Sequence, residues 1–166
     1  MGESLPAFTE WLASTPLSLH IQTTAWVIPA VQTLHILAIA AVVAAVFLIH
    51  LRVMGLALRS QATATVARRF MPWLWGALVV LALSGLLLII GEPARSLENG
   101  MFQGKMLMLV VVVALTAVFA RPLRNDPAYW EATPARRMNA RGLAIGSLAL
   151  WVGIVFAGRW IAYWGG

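Results

Sequence analysis

The chain has 166 residues, of which 61% are hydrophobic and only 11% charged, with a net charge of +6 and no cysteine. Soluble domains carry about 25% charged residues, and a water-soluble fold of this size cannot hide so much apolar surface, so lipid must be the solvent for much of the chain. Without cysteine there are no disulfides and no thiolate metal sites.

The N-terminus opens Met-Gly-Glu-Ser with no basic stretch, and the apolar run starts too late for a signal peptide. Residues 5–12 (LPAFTEWL), bracketed by Pro6 and Pro16, are mildly amphipathic and predict a short helix lying in the membrane interface. Four apolar stretches follow, at about residues 26–51, 73–91, 104–120 and 143–164. Each approaches the roughly 20 residues that a spanning helix needs, the third with residues 102–105 added as an interfacial turn. Runs such as residues 38–49 (AIAAVVAAVFLI) lack the alternation of a barrel strand, and inside a bilayer only helices or closed barrels satisfy the backbone. The expected fold is therefore all-α: one integral membrane domain over residues 1–166, a four-helix bundle with a short N-terminal interfacial helix. The longest connection, residues 121–139, holds three prolines and the acids Asp126 and Glu131 and is expected to be a loop.

Charge placement predicts orientation. Arg52, Arg59, Arg68 and Arg69 follow the first span, and Arg121, Arg124, Arg136, Arg137 and Arg141 separate the third from the fourth. The positive-inside rule puts these on the cytoplasmic side of a bacterial inner membrane, with both termini periplasmic. The arginines hold topology and touch anionic lipid; short loops without a recognisable binding fold argue against nucleic acid. Trp26, Trp160 and Trp164 form the outer aromatic belt, and Trp73 and Trp75 the inner one.

Ionisable groups at membrane depth are costly, which makes each a functional candidate. His35 lies nine residues beyond Trp26, roughly 13 Å deeper at 1.5 Å per residue, with Gln32 and Thr33 nearby. Three readings stand for it: a ligand to haem iron or another metal, a hydrogen bond to a neighbouring helix, or a proton or quinone contact. His50 is fifteen residues on, roughly 22 Å in rise and about 60° in rotation, so both imidazoles can face one interior at two depths, a spacing similar to that of cytochrome b helices that serve two haems. The alternative for His50 is a solvated position beside Arg52, and His20 is expected at the outer surface. Met106 and Met108 are candidate second ligands, although methionines at helical spacing are more often packing material. With all three histidines in the N-terminal third, a bis-histidine haem needs a second subunit, either a homodimer or a partner protein. Lys105 and Arg159 either snorkel to the outer interface or bind an anion such as a haem propionate or a quinone head group. Gly76, Ser84 and Gly85, and then Gly142, Gly146, Ser147 and Gly153, offer small-residue faces for helix packing.

The segments WVIPAVQTLHILAIA, LRVMGLALR, MPWLWGALVVLALSGLLL, NGMFQGKMLMLVVV and GSLALWVGIVFAGRWIAYW together resemble a bacterial family of four-helix inner-membrane proteins over nearly the whole chain. That family is distantly similar to the membrane domain of copper-resistance protein D, which shares an early histidine and a phenylalanine–lysine entry into a later helix; His35, Phe102 and Lys105 match those features. This chain departs from the family at His50, where an acidic residue is usual, and at Gln32, where Glu is frequent. The resemblance supports the fold and His35, and it implies no reaction. The expected function is a b-type haem protein passing electrons, a membrane redox protein similar to cytochrome b, with quinone as a candidate partner. The alternatives are copper transport or sensing through His35 and Met106, and a non-catalytic subunit of a larger membrane complex.

Overall fold

The computed structural model describes residues 4–160 and residue 163. Two short helices come first, α1 (Ser4–Ala13) and α2 (Pro16–Thr23), then the long α3 (Val27–Met54) and α4 (Thr63–Gly91), the five-residue α5 (Pro93–Leu97), and the long α6 (Gly100–Asn125) and α7 (Pro134–Trp160). The four long helices are each long and apolar enough to cross a membrane, and their most apolar windows are mostly uncovered by protein, with only 17% buried in α4 and 33% in α3. Large apolar side chains such as Leu37, Leu83, Leu107 and Phe156 point outward. That inverted surface is what a chain solvated by lipid must present.

The helix ends follow local chemistry. At the end of α3, Gly55 adopts φ +73°, and its N–H caps the carbonyls of Leu51 and Arg52, a left-handed stop that glycine takes without a Cβ penalty. Asn99 opens α6 by accepting from the N–H groups of Met101 and Phe102. Thr133 opens α7, its hydroxyl taking the Arg136 N–H at 3.2 Å, with Pro134 at the first helical position.

Three expectations change here. The interfacial segment is two helices: α2 docks on the end of α4, where the Ser18 hydroxyl donates to the Ile90 carbonyl at 2.6 Å and Ile21 packs so closely over Gly91 that a Cβ there would lie 2.9 Å from its Cγ2. The stretch 121–139 is mostly helical, because α6 continues through Pro122 to Asn125 and α7 already starts at Pro134, which leaves a loop of residues 126–133. Arg68 and Arg69 ride on α4 rather than on a loop. The predicted outer-belt residue Trp164 lies outside the described residues.

The core is narrow. Val42, Ala45 and Val46 of α3 meet Leu74 of α4, Val112 of α6, and Trp151 and Ile154 of α7. A second cluster, nearer the arginine-rich end, joins Ile49, Val66, Ala67, Phe119, Trp130 and Ala140. α4 packs along α3, α3 against α7, and α7 against α6; the side between α4 and α6 lacks that close backbone approach. The bundle is thus tight on three sides and looser on the fourth.

Candidate functional site between α4 and α6

The four long helices bring polar groups together near the end that carries the chain termini. His35 stands two turns into α3, and its Nδ1 lies 2.8 Å from the Ser84 hydroxyl of α4. Ser84 is buried, and its single proton is given to the Val80 carbonyl one turn earlier, at 2.6 Å. With its one hydrogen on the Val80 carbonyl, the hydroxyl is left to accept from His35. In that arrangement the neutral imidazole carries its proton on Nδ1 and keeps the lone pair on Nε2. Gly85 makes room for the ring, since a Cβ there would be 3.5 Å from His35 Cε1.

Lys105 enters from α6, five residues past Gly100, within electrostatic reach of the imidazole. Its ammonium lies over Gly158 of α7, 3.7 Å from where a Cβ would stand. Among the described residues Lys105 has no hydrogen bond and no ion pair. A half-buried, unpaired cation in a largely apolar wall favours an anion or an electron-rich oxygen beside it. The site is thus an imidazole of α3 bonded to Ser84 of α4, with the Lys105 ammonium of α6, set against Gly158 of α7, within electrostatic reach.

The other candidates are placed differently. Met106 is exposed on the outer surface of α6, whereas Met108 packs over Gly153, its sulfur 3.0 Å from where a Cβ would be. Arg159 is exposed, 3.0 Å from the Tyr163 hydroxyl, with its guanidinium over that ring. Gln32 and Thr33 are exposed, and so is His20. No group of three or more His, Cys, Asp or Glu side chains that could hold a metal occurs among the described residues.

His50 corrects one reading. It is not solvated: it is 8% exposed, facing Phe119 of α6 with ring centroids 6.5 Å apart, in a wall shared with α4 and α7. Its Nδ1 donates to the Val46 carbonyl at 2.6 Å, which again leaves Nε2 bare in the neutral ring. It lines a cavity of about 10 Å³ with Thr116, Ser147 and seven apolar residues, room for about one water. The Ser147 hydroxyl in that wall is buried without a partner. His35 and His50 therefore both face the interior, at separate levels.

Of the small-residue faces, Ser84, Gly85 and Gly153 are used in packing, while nothing covers Gly76, Gly142 or Gly146 within 4 Å. Sequence reasoning treated Ser84 only as a small residue; the signal for more was a hydroxyl in the middle of an otherwise apolar span, where a polar group needs a partner.

A family model matches residues 8–164 of the chain. The chain belongs to DUF6644, a family of unknown function. No curated protein and no solved structure matches it.

At the opposite end, Glu131 ties the loop to two helices. Its Oε1 accepts from Arg52 Nη2 at 3.0 Å, from the Thr63 N–H at 3.0 Å and from the Thr63 hydroxyl at 2.5 Å. Arg52 also donates from Nε to the Gln61 carbonyl. Partial burial by itself raises the Glu131 pKa, but the Thr63 hydrogen bonds and the Arg52 and Arg137 charges outweigh it and hold the carboxyl below its ordinary value. A depressed folded pKa gives stability that is present above the unfolded carboxylate value, about 4.3, and lost as pH falls through the folded one. The thermal midpoint of the detergent-solubilised protein is expected to fall below about pH 4.3, and a Glu131→Gln variant to lose part of that fall. Identical acid profiles for the two proteins would remove Glu131 from this role.

Proposed function

We propose that the chain is an electron-transfer protein of a bacterial inner membrane that binds haem b at the His35–Lys105 site. The observation that carries this reading is the pairing of His35 with Ser84. Metal-ligating histidines usually donate their other ring N–H to a fixed acceptor, which sets ring orientation and tautomer. Nε2 is then the iron ligand and Lys105 the partner of a propionate. The nearby chain supplies no second histidine at this level, so a bis-histidine site needs a second subunit, and the looser side between α4 and α6 is where it would approach. For orientation, nine of the twelve basic residues lie toward one end of the bundle, which supports cytoplasmic arginines and periplasmic termini.

A second reading rests on the same lone pair. A quinol hydroxyl can donate to the bare Nε2 while Lys105 donates to the oxygen across the ring, and a ligand dissolved in the bilayer would enter from the side. The copper reading gains no such support, since Met106 faces outward.

The test is the absorption spectrum of the purified protein, expressed with haem supplied, oxidised and then reduced with dithionite. A Soret band with sharp reduced α and β bands is expected, lost in His35→Ala. A flat spectrum with stoichiometric co-purified quinone transfers the site to the second reading. A flat spectrum without quinone overturns both.

A further inference from the structure

The arginine-rich end holds a larger space than the one beside His50. A cavity of about 370 Å³ opens there between the end of α3, the start of α4, the 126–133 loop and the first turns of α7. That volume is within the range of small-ligand sites, about 300–1,000 Å³. Arg52, Arg137 and Arg141 line it, with Glu131, Thr63 and Trp130.

The charges do not balance. Three guanidiniums face one carboxylate. The Glu131 Oε1 is already occupied by Arg52 and by both Thr63 donors, so that carboxylate is committed to closing the loop. Arg137 and Arg141 stand one helical turn apart on α7, on one face. Neither has a side-chain hydrogen bond or an ion pair within 4 Å among the described residues. The cavity therefore carries a surplus of two positive charges with two uncommitted forks of N–H donors. Guanidinium forks match the spacing of phosphate oxygens and bind them in pairs. A phosphomonoester dianion neutralises the surplus and a phosphodiester half of it, and either presents several oxygens to the two forks, which a carboxylate with its two oxygens does not.

We infer that this cavity is a binding site for a phosphate group, gripped by Arg137 and Arg141 against the Arg52–Glu131–Thr63 wall. It lies at the other end of the bundle from the His35–Lys105 site and does not depend on the function proposed there. The phosphate can come from an anionic phospholipid head group or from a soluble phosphorylated molecule.

The experiment uses the full chain in neutral detergent. Inorganic phosphate is titrated calorimetrically against a chloride control, and phosphatidylglycerol is titrated by native mass spectrometry against phosphatidylcholine. Saturable binding of one equivalent is expected, weakened about tenfold or more in Arg137→Gln/Arg141→Gln, as loss of charge-assisted hydrogen bonds predicts. The exposed pair Arg68→Gln/Arg69→Gln, outside the cavity, is expected to bind like wild type. Phosphatidylglycerol binding without inorganic phosphate binding assigns the lipid source, and strong inorganic phosphate binding assigns the soluble one. Saturable binding of neither, or equal weakening in the Arg68/Arg69 variant, overturns the inference. Both variants are compared at matched thermal midpoints; Arg137 and Arg141 are exposed, so folding is expected to survive their replacement.

Discussion

Replacing Trp130 with alanine is expected to destabilise the protein by about 3–5 kcal/mol, the usual cost of removing a large buried aromatic. Trp130 is 8% exposed although it lies in a loop. Its indole stacks on Phe119 of α6 with centroids 5.6 Å apart and planes 4° apart, and it meets Tyr129 edge-on at 4.9 Å. Arg136 covers the Tyr129 ring, 4.2 Å from its centroid. The indole N–H donates to the Phe119 carbonyl at 2.9 Å, near the C-terminal end of α6. The loop is thereby fixed to α6, which places Glu131 where it can reach Arg52 of α3 and Thr63 of α4. Loss of Trp130 should therefore loosen three helix ends together. Trp130→Phe keeps the stacking and gives up the hydrogen bond, at about 1 kcal/mol. Unfolding by mixed detergent, followed by circular dichroism, gives both values. A cost near zero for the alanine variant would mean that the loop does not anchor this end.

The four spans were legible because lipid imposes a crude rule: enough apolar residues, few charges, no edges. Their lengths were underread at the arginine-rich end. Residues 121–125 and 134–142 are polar, and polarity was read as loop, but helices continue past the hydrocarbon into the head groups, where charged side chains cost nothing. Pro122 reinforced the error, since a proline near the end of a helix removes only one bond. α2 was missed because its pattern is short and its partner, the small face at Gly91, is contributed by another helix. For the site, His35 and Lys105 were visible as costly polar groups in apolar runs. That they come within electrostatic reach of each other was not, because it depends on α3 and α6 packing in the bundle without being sequence neighbours. The burial of His50 was hidden for the same reason: Phe119, which it faces, comes from about 70 residues further along the chain. The Arg52–Glu131 pair is equally non-local.

Ser84→Ala is expected to weaken haem binding at His35 by about 10–100-fold, the range seen when the partner of a metal-bound histidine is removed, while the bundle stays folded. The argument runs through one proton. With the Ser84 hydroxyl donating to the Val80 carbonyl, the neutral imidazole presents N–H at Nδ1 and a lone pair at Nε2. Without it, the Nδ1 proton faces only apolar neighbours, and the tautomer with the proton on Nε2 competes. That tautomer has no lone pair where the iron has to bind. The ring also loses the contact that holds its χ2 angle. Because a hydroxyl-to-methyl change keeps nearly the same volume, packing around Gly85 is preserved. Nitrogen-15 spectra of histidine-labelled protein without ligand separate the two causes: a shift of the His35 resonances from one tautomer toward a mixture is expected, and a purely structural role for Ser84 would leave the tautomer unchanged. Haem titration of the same variant then reads the consequence. Wild-type affinity together with an altered tautomer would show that Nε2 is not the ligand, and would move the site toward a quinol that needs only one hydrogen-bond acceptor.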